Sequence, residues 1–148
     1  MSNYVGGMTT LYRTEGVNDH GGDGTSWITG GLEVQLASPL AGGAETADTP
    51  EQTNPEQLLA LAWATCLNAT VQAILEGSRR SRVRVTVGLQ EADPGPGYEF
   101  HVDAYVGIDG AEQSEAEETL RAAHARCPMS KLLRNAATVQ VHVEPYAP

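Results

Sequence analysis

From Arg82 to Leu89 apolar and polar positions alternate without a break, with Val83, Val85, Val87 and Leu89 on one side and Arg82, Arg84 and Thr86 on the other. A period of two is the signature of a strand with one buried face. After the turn Asp93-Pro94-Gly95-Pro96-Gly97, the stretch Tyr98 to Ile108 carries Phe100, Val102, Ala104 and Val106 in the same phase, so the two segments predict an antiparallel hairpin. Thr138 to Val143 predicts a last strand with Val139, Val141 and Val143 inward, and Leu32 to Leu36 alternates as a strand near the start. Ahead of it, Leu11-Tyr12-Arg13 reads as the opening of an edge strand, Asn18 to Gly24 as a turn, Ser26 to Thr29 as the return strand and Gly30-Gly31 as a second turn. Pro39 to Thr53, rich in Gly, Ala, Thr and Pro, reads as a loop.

The period changes at Asn54. Asn54 suits an N-cap, Pro55 the first helical position and Gln57 the return contact of a capping box. From Leu58 to Leu75 the apolar residues fill neighbouring stripes at helical spacing, which predicts a helix buried on most sides with Cys66 mid-helix. A second helix is predicted to open at Ser114, with Glu117 completing a capping box, and to run toward Cys127. Pro128 disfavours helical backbone at the residue before it and favours the first position of a new helix, roughly Pro128 to Asn135. Cys127 would then be an N-cap, where free N–H groups favour a thiolate. Three strands, a long helix, two strands, two helices and a final strand make an α+β fold.

At 148 residues and 15.7 kDa the chain fits one domain, 1–148, with room for a core. The formal charge of −10 argues against nucleic acid or an anionic membrane, both of which reward Lys and Arg, and suits a small neutral or apolar substrate. Met1 to Gly7 shows neither a basic nor an apolar leader segment, and no run was expected to reach the roughly 18 apolar residues of a membrane span. The expectation is a cytoplasmic protein. The long helix is too apolar for one small sheet to cover, which predicts a second subunit on its other side.

Two cysteines, Cys66 and Cys127, are too few for a secreted disulfide scaffold, and a lone buried cysteine is ordinarily an inert small hydrophobe. Glu56, at the second helical position, is favoured by the helix dipole whatever else it does. His124 and Cys127 have a His-x-x-Cys spacing, but a closed zinc site wants four ligands and only this one local pair exists. Gly21-Gly22-Asp23-Gly24 does not join a strand to a helix, so it is a turn and not a dinucleotide fingerprint.

Three segments together resemble the OsmC/Ohr family of osmotically inducible and organic hydroperoxide resistance proteins, the Ohr branch in particular. They are Leu32 to Pro39, the run Thr53-Asn54-Pro55-Glu56-Gln57-Leu58 with Ala64-Thr65-Cys66-Leu67, and Ala122 to Ser130 with its Cys127-Pro128-Met129-Ser130. The resemblance covers most of the chain. It implies an intertwined homodimer with antiparallel sheets wrapped around long central helices, and a peroxidase that reduces organic hydroperoxides without metal or prosthetic group. It makes Cys66 the peroxidatic cysteine, Cys127 the resolving one, Glu56 the carboxylate that orients an activating arginine, and a lipoyl dithiol carried on a protein the reductant.

The family's early loop usually reads Gly-Gly-Arg-x-Gly, whereas this chain has His20-Gly21-Gly22-Asp23-Gly24 and no arginine there. Arg13 and His20 are the candidate substitutes. A mid-helix thiol in an apolar setting stays protonated unless a cation stands by, so the choice lies between a peroxidase and a relative that keeps the fold and dithiol for small-molecule binding or redox sensing. Leu59, Ala62, Trp63 and Leu67 are the expected lining for an alkyl hydroperoxide, Trp63 being equally suited to the core.

Overall fold

A computed structural model describes residues 8–42 and 49–148. The chain divides into two compact units at Asn54 and Pro55. In the first, strand β1 (Gly16–Asp19) pairs antiparallel with β2 (Thr25–Ile28), Val17 opposite Trp27, across a short 3-10 turn at Gly21–Asp23. Asn18 ties that turn: its Oδ1 accepts from the Gly21 N–H at 2.9 Å and its Nδ2 donates to Ser26 Oγ at 3.0 Å. Gly24 is required there, because a Cβ would collide with the Asp19 carbonyl. Leu11 to Arg13, expected as a strand, is exposed and outside any strand. The turn chemistry of Asn18 places the pairing later in the chain, on residues with almost no apolar pattern.

Strand β3 (Glu33–Leu36) pairs antiparallel with β2, and β4 (Gln52–Thr53) runs parallel to β3, giving the order β1-β2-β3-β4. The expected loop from Pro39 begins with a helical turn, α1 (Pro39–Gly42), and its residues 43–48 lie outside those described, as does the lead Met1 to Gly7.

The second unit opens with α2 (Pro55–Leu75), beginning where the Asn-Pro signal sets it. The helix stops where Glu76 and Gly77 both turn left-handed, at φ 53° and 69°. β5 (Ser81–Glu91) and β6 (Tyr98–Ile108) form the anticipated hairpin, Val83 opposite Val106 and Val87 opposite Val102. Then come α3 (Gln113–Arg126), α4 (Pro128–Leu133) and β7 (Val139–Val143), the last parallel to β6. Each sheet therefore adds one parallel pairing to the antiparallel hairpins anticipated. Trp63, Leu67 and Val71, four apart on α2, meet Val102, Ala104 and Val106 of β6 and Ala116, Leu120 and Ala123 of α3 in one core.

Three expectations about the helices need correction. α3 starts one residue ahead of Ser114, at an N-cap, Glu112, that makes no side-chain cap, and Glu117 Oε1 instead accepts from Gln113 Nε2 at 2.8 Å, so the capping box is not formed. α2 is not buried on most sides in the single chain: Trp63, Leu67 and Val71 are buried while Leu61 is 65% exposed, because one sheet covers one face. That helix is also long and apolar enough to cross a membrane by length and composition, contrary to the expectation that no run would be. Its polar residues serve the fold: Asn68 Oδ1 accepts from Ser81 Oγ at 2.6 Å and Gln72 Nε2 donates to the Arg79 carbonyl at 3.0 Å.

Candidate active site

Both cysteines lie in the second unit, brought together from 61 residues apart, with their Sγ atoms 3.4 Å from each other. Both are free thiols. Cys66 sits on α2 and is half-buried; Cys127 is completely buried. The local sequence makes Cys127 the N-cap of α4, as expected: with Pro128 at the first position its backbone stays extended, φ −61° and ψ 124°, and its sulfur accepts the Ser130 N–H at 3.5 Å. Ser130 is itself fully buried and receives the Trp63 indole N–H on its Oγ at 3.0 Å.

These contacts order the two acidities. Burial pushes the Cys127 thiol up, but the Ser130 backbone N–H, the Ser130 hydroxyl, the Cys66 thiol and the Met129 N–H together outweigh it and hold Cys127 below the usual thiol value. Burial likewise pushes Cys66 up; the Met129 N–H opposes this, the neighbouring Cys127 adds to it, and Cys66 ends above the usual value. An S–H···S bond can be drawn with either sulfur as donor. The N–H groups favour the arrangement with Cys66 as donor and the charge toward Cys127. The upward push of burial on Cys66 is the direction expected of a mid-helix thiol without a cation beside it.

Glu56 lies in the first turn of α2, and its Oε2 is buried with no hydrogen-bond partner among the described residues. Arg13 is exposed, and His20 is exposed with its Nε2 3.6 Å from Asp19 Oδ2. Of the expected apolar lining, Trp63 and Leu67 are wholly buried in the core, Leu59 is half-buried against it and Ala62 is exposed. Trp63 and Leu67 thus stand in the core of this chain and not on its surface. Leu59, Ala62 and Cys66 do fall on one stripe of α2 at spacings of three and four.

His124 belongs to no metal cluster: among the described residues no three His, Cys, Asp or Glu side chains gather as ligands. Its Nδ1 is buried without a partner among the described residues, its ring centroid is 6.4 Å from that of Trp63, and burial, with Arg134 adding, lowers its pKa. Ser130 was missed as a functional residue. Its signal was present, since Cys-Pro-x-Ser puts a hydroxyl residue at the third position of the helix that Cys127 caps.

Residues 47–142 match the family model described as OsmC-like protein. A relative in Staphylococcus epidermidis, named organic hydroperoxide resistance protein-like 2, is 31% identical over 139 residues, covering 90% of this chain and 96% of its own. One in Mycoplasma pneumoniae, named organic hydroperoxide resistance protein-like, is 33% identical over 86% of this chain and 90% of its own. Among solved structures, the organic hydroperoxide resistance protein OhrB of Bacillus subtilis superposes with a TM-score of 0.78 at 26% identity, covering 93% of this chain and all of that one. A Lactobacillus casei protein superposes with a TM-score of 0.80 at 35% identity, covering 95% of both chains.

Proposed function

Because the chain belongs to the OsmC-like protein family, we propose that it is a thiol peroxidase reducing organic hydroperoxides to alcohols, with Cys66 as nucleophile and Cys127 as resolving thiol. The observation that carries this reading is the 3.4 Å approach of the two sulfurs. In the resting pair the contacts at Cys127 favour its thiolate over that of Cys66. Cys66 is the more open of the two, so it meets the substrate, and as it attacks the distal oxygen of ROOH its proton passes to Cys127 across that short contact. The O–O bond breaks, the departing RO⁻ takes a proton from solvent and leaves as ROH, and Cys66 becomes a sulfenic acid. Cys127 then attacks the Cys66 sulfur, water departs and a Cys66–Cys127 disulfide closes. A lipoyl-type dithiol, free or carried on a protein, reopens it by exchange.

The apolar stripe beside Cys66, half-buried Leu59 and exposed Ala62, supports an alkyl or lipid hydroperoxide over hydrogen peroxide, since each CH₂ removed from water contributes about 0.8 kcal/mol. A second copy of the chain would cover Leu58 and Leu61, 36% and 65% exposed on α2, making the working form a homodimer. Glu56, with its buried oxygen unpartnered among the described residues, would serve as the carboxylate that receives a cation.

A second reading is favoured by one observation, the upward push of burial on the Cys66 pKa. A sluggish Cys66 would suit a redox-sensing or small-molecule-binding relative that keeps the dithiol and dispenses with turnover. Consumption of cumene hydroperoxide in the presence of dihydrolipoamide separates the two. The peroxidase reading expects many turnovers per chain; a single slow oxidation that stops at the disulfide would favour the sensor.

A further inference from the structure

The hydrogen bonds around the two sulfurs are unequal in a way that bears on how the disulfide is undone. Reduction of a disulfide by a thiolate is directional: one sulfur is attacked and keeps the new bond, while the other departs with the electron pair. Which departs is decided by access and by how well the departing thiolate is held. Cys66 is partly open and Cys127 is fully buried. Cys127 has a donor waiting for the pair, the Ser130 N–H at 3.5 Å, on a residue whose side-chain oxygen is fixed by the Trp63 indole N–H at 3.0 Å. All three residues are at zero exposure, so water can neither replace these donors nor scramble their direction.

The indole bond anchors Ser130 by its side chain, and with it the backbone N–H that points at the Cys127 sulfur. We infer that Ser130 holds the sulfur expelled on re-reduction, with Trp63 as the positioning residue that anchors it, so that the incoming dithiol is directed to Cys66. The inference rests on the dithiol peroxidase reading above and extends it to the return half of the cycle.

The step balances as follows. A thiolate of the reductant attacks Cys66 Sγ, a new S–S bond forms to Cys66, the Cys66–Cys127 bond breaks and its electron pair stays on Cys127 as a thiolate. The reductant's second thiol, losing its proton, attacks its own sulfur in the mixed disulfide and expels Cys66, which takes up a proton. The dithiol leaves oxidised to a cyclic disulfide, and the protein has gained two electrons.

The test uses full-length protein whose disulfide is formed with diamide, so that hydroperoxide chemistry is not involved. Glutathione, a monothiol that cannot complete the second step, is added to the wild type, the reaction is quenched by rapid alkylation with iodoacetamide, and peptides are read by mass spectrometry. The expected result is glutathione on Cys66 and the alkyl group on Cys127; glutathione on Cys127 overturns the inference. In single-turnover reduction by dihydrolipoamide, Ser130→Ala and Trp63→Phe, which both remove the bond that anchors the donating N–H, are each expected to slow disulfide opening by about two- to fivefold.

In both variants the thiolate absorbance of Cys127 is expected to move to higher pH, which a merely structural loss would not produce in a folded protein. Unchanged rates together with an unchanged titration overturn the role of the two residues. Failure of the wild type to form the disulfide with cumene hydroperoxide, while the glutathione experiment succeeds, would count against the peroxidase reading and leave this inference standing.

Discussion

Replacing Cys127 by serine should change the acidity of Cys66, and the size of the change follows from the geometry. Serine is a good N-cap, so α4 keeps its start. In the wild type the pair loses two protons in two steps that belong to the pair, the first leaving the charge mainly on Cys127. The second must then create a charge 3.4 Å from an existing one. For a half-exposed sulfur an effective dielectric of about 40 to 80 is appropriate, and the repulsion is about 1 to 2.5 kcal/mol. At 1.36 kcal/mol per unit, that is about one to two pH units.

The Cys127→Ser variant should therefore show one thiolate step, lying about one to two units below the second step of the wild type, while Cys66→Ser should keep a step below the ordinary thiol value. Thiolate absorbance in the ultraviolet, followed from acid to alkaline pH, reads both. If the low step survives in Cys127→Ser, the low-lying thiolate is Cys66, and the ordering argued from the Ser130 and Met129 N–H groups is wrong.

Leu67, fully buried between α2 and the sheet, should cost about 2 to 5 kcal/mol when cut to alanine, while Leu132→Ala, at a residue 79% exposed, should stay within about 0.5 kcal/mol; urea unfolding compares them, and equal losses would contradict the core described. His124 is held neutral by burial and by Arg134, so the unfolded chain binds a proton there more readily, and stability should fall as pH drops from about 6.5 through the lowered value of the folded state. His124→Gln should flatten that part of the profile, and an unflattened one would count against it. Because the donors to the sulfurs are backbone N–H groups and Ser130, Arg13→Gln and His20→Gln should each keep hydroperoxide consumption within about threefold. A hundredfold loss in either would hand the activating charge to that side chain.

The long helix and the β5–β6 hairpin were legible because their patterns are long and periodic: eleven-residue strands facing one core and an Asn-Pro start leave little choice. The first strand was not legible, because Gly16 to Asp19 has one apolar side chain and forms through the Asn18 turn contacts. The start of α3 slipped by one residue because Gln113 takes the Glu117 carboxylate that the capping-box pattern assigned to Ser114. At the site, the motifs named both cysteines, and the N-cap place of Cys127 followed from Pro128. Which sulfur holds the proton did not follow, since it depends on Trp63 reaching Ser130 across 67 residues and on Cys127 meeting Cys66 across 61. Only the tertiary fold creates those contacts, and it also took Trp63 and Leu67 out of the expected lining and into the core.

The most direct measurement is the stoichiometry of one oxidation. Reduced protein mixed with cumene hydroperoxide in the absence of any reductant should consume one equivalent per chain and lose two hydrogens in an intact-mass spectrum, with peptides joined through Cys66 and Cys127. Cys127→Ser should consume the same equivalent and stop at a sulfenic acid that dimedone captures on Cys66, and Cys66→Ser should consume none. Hydroperoxide loss undiminished in Cys66→Ser, or oxidation of the wild type without a Cys66–Cys127 link, would contradict the account.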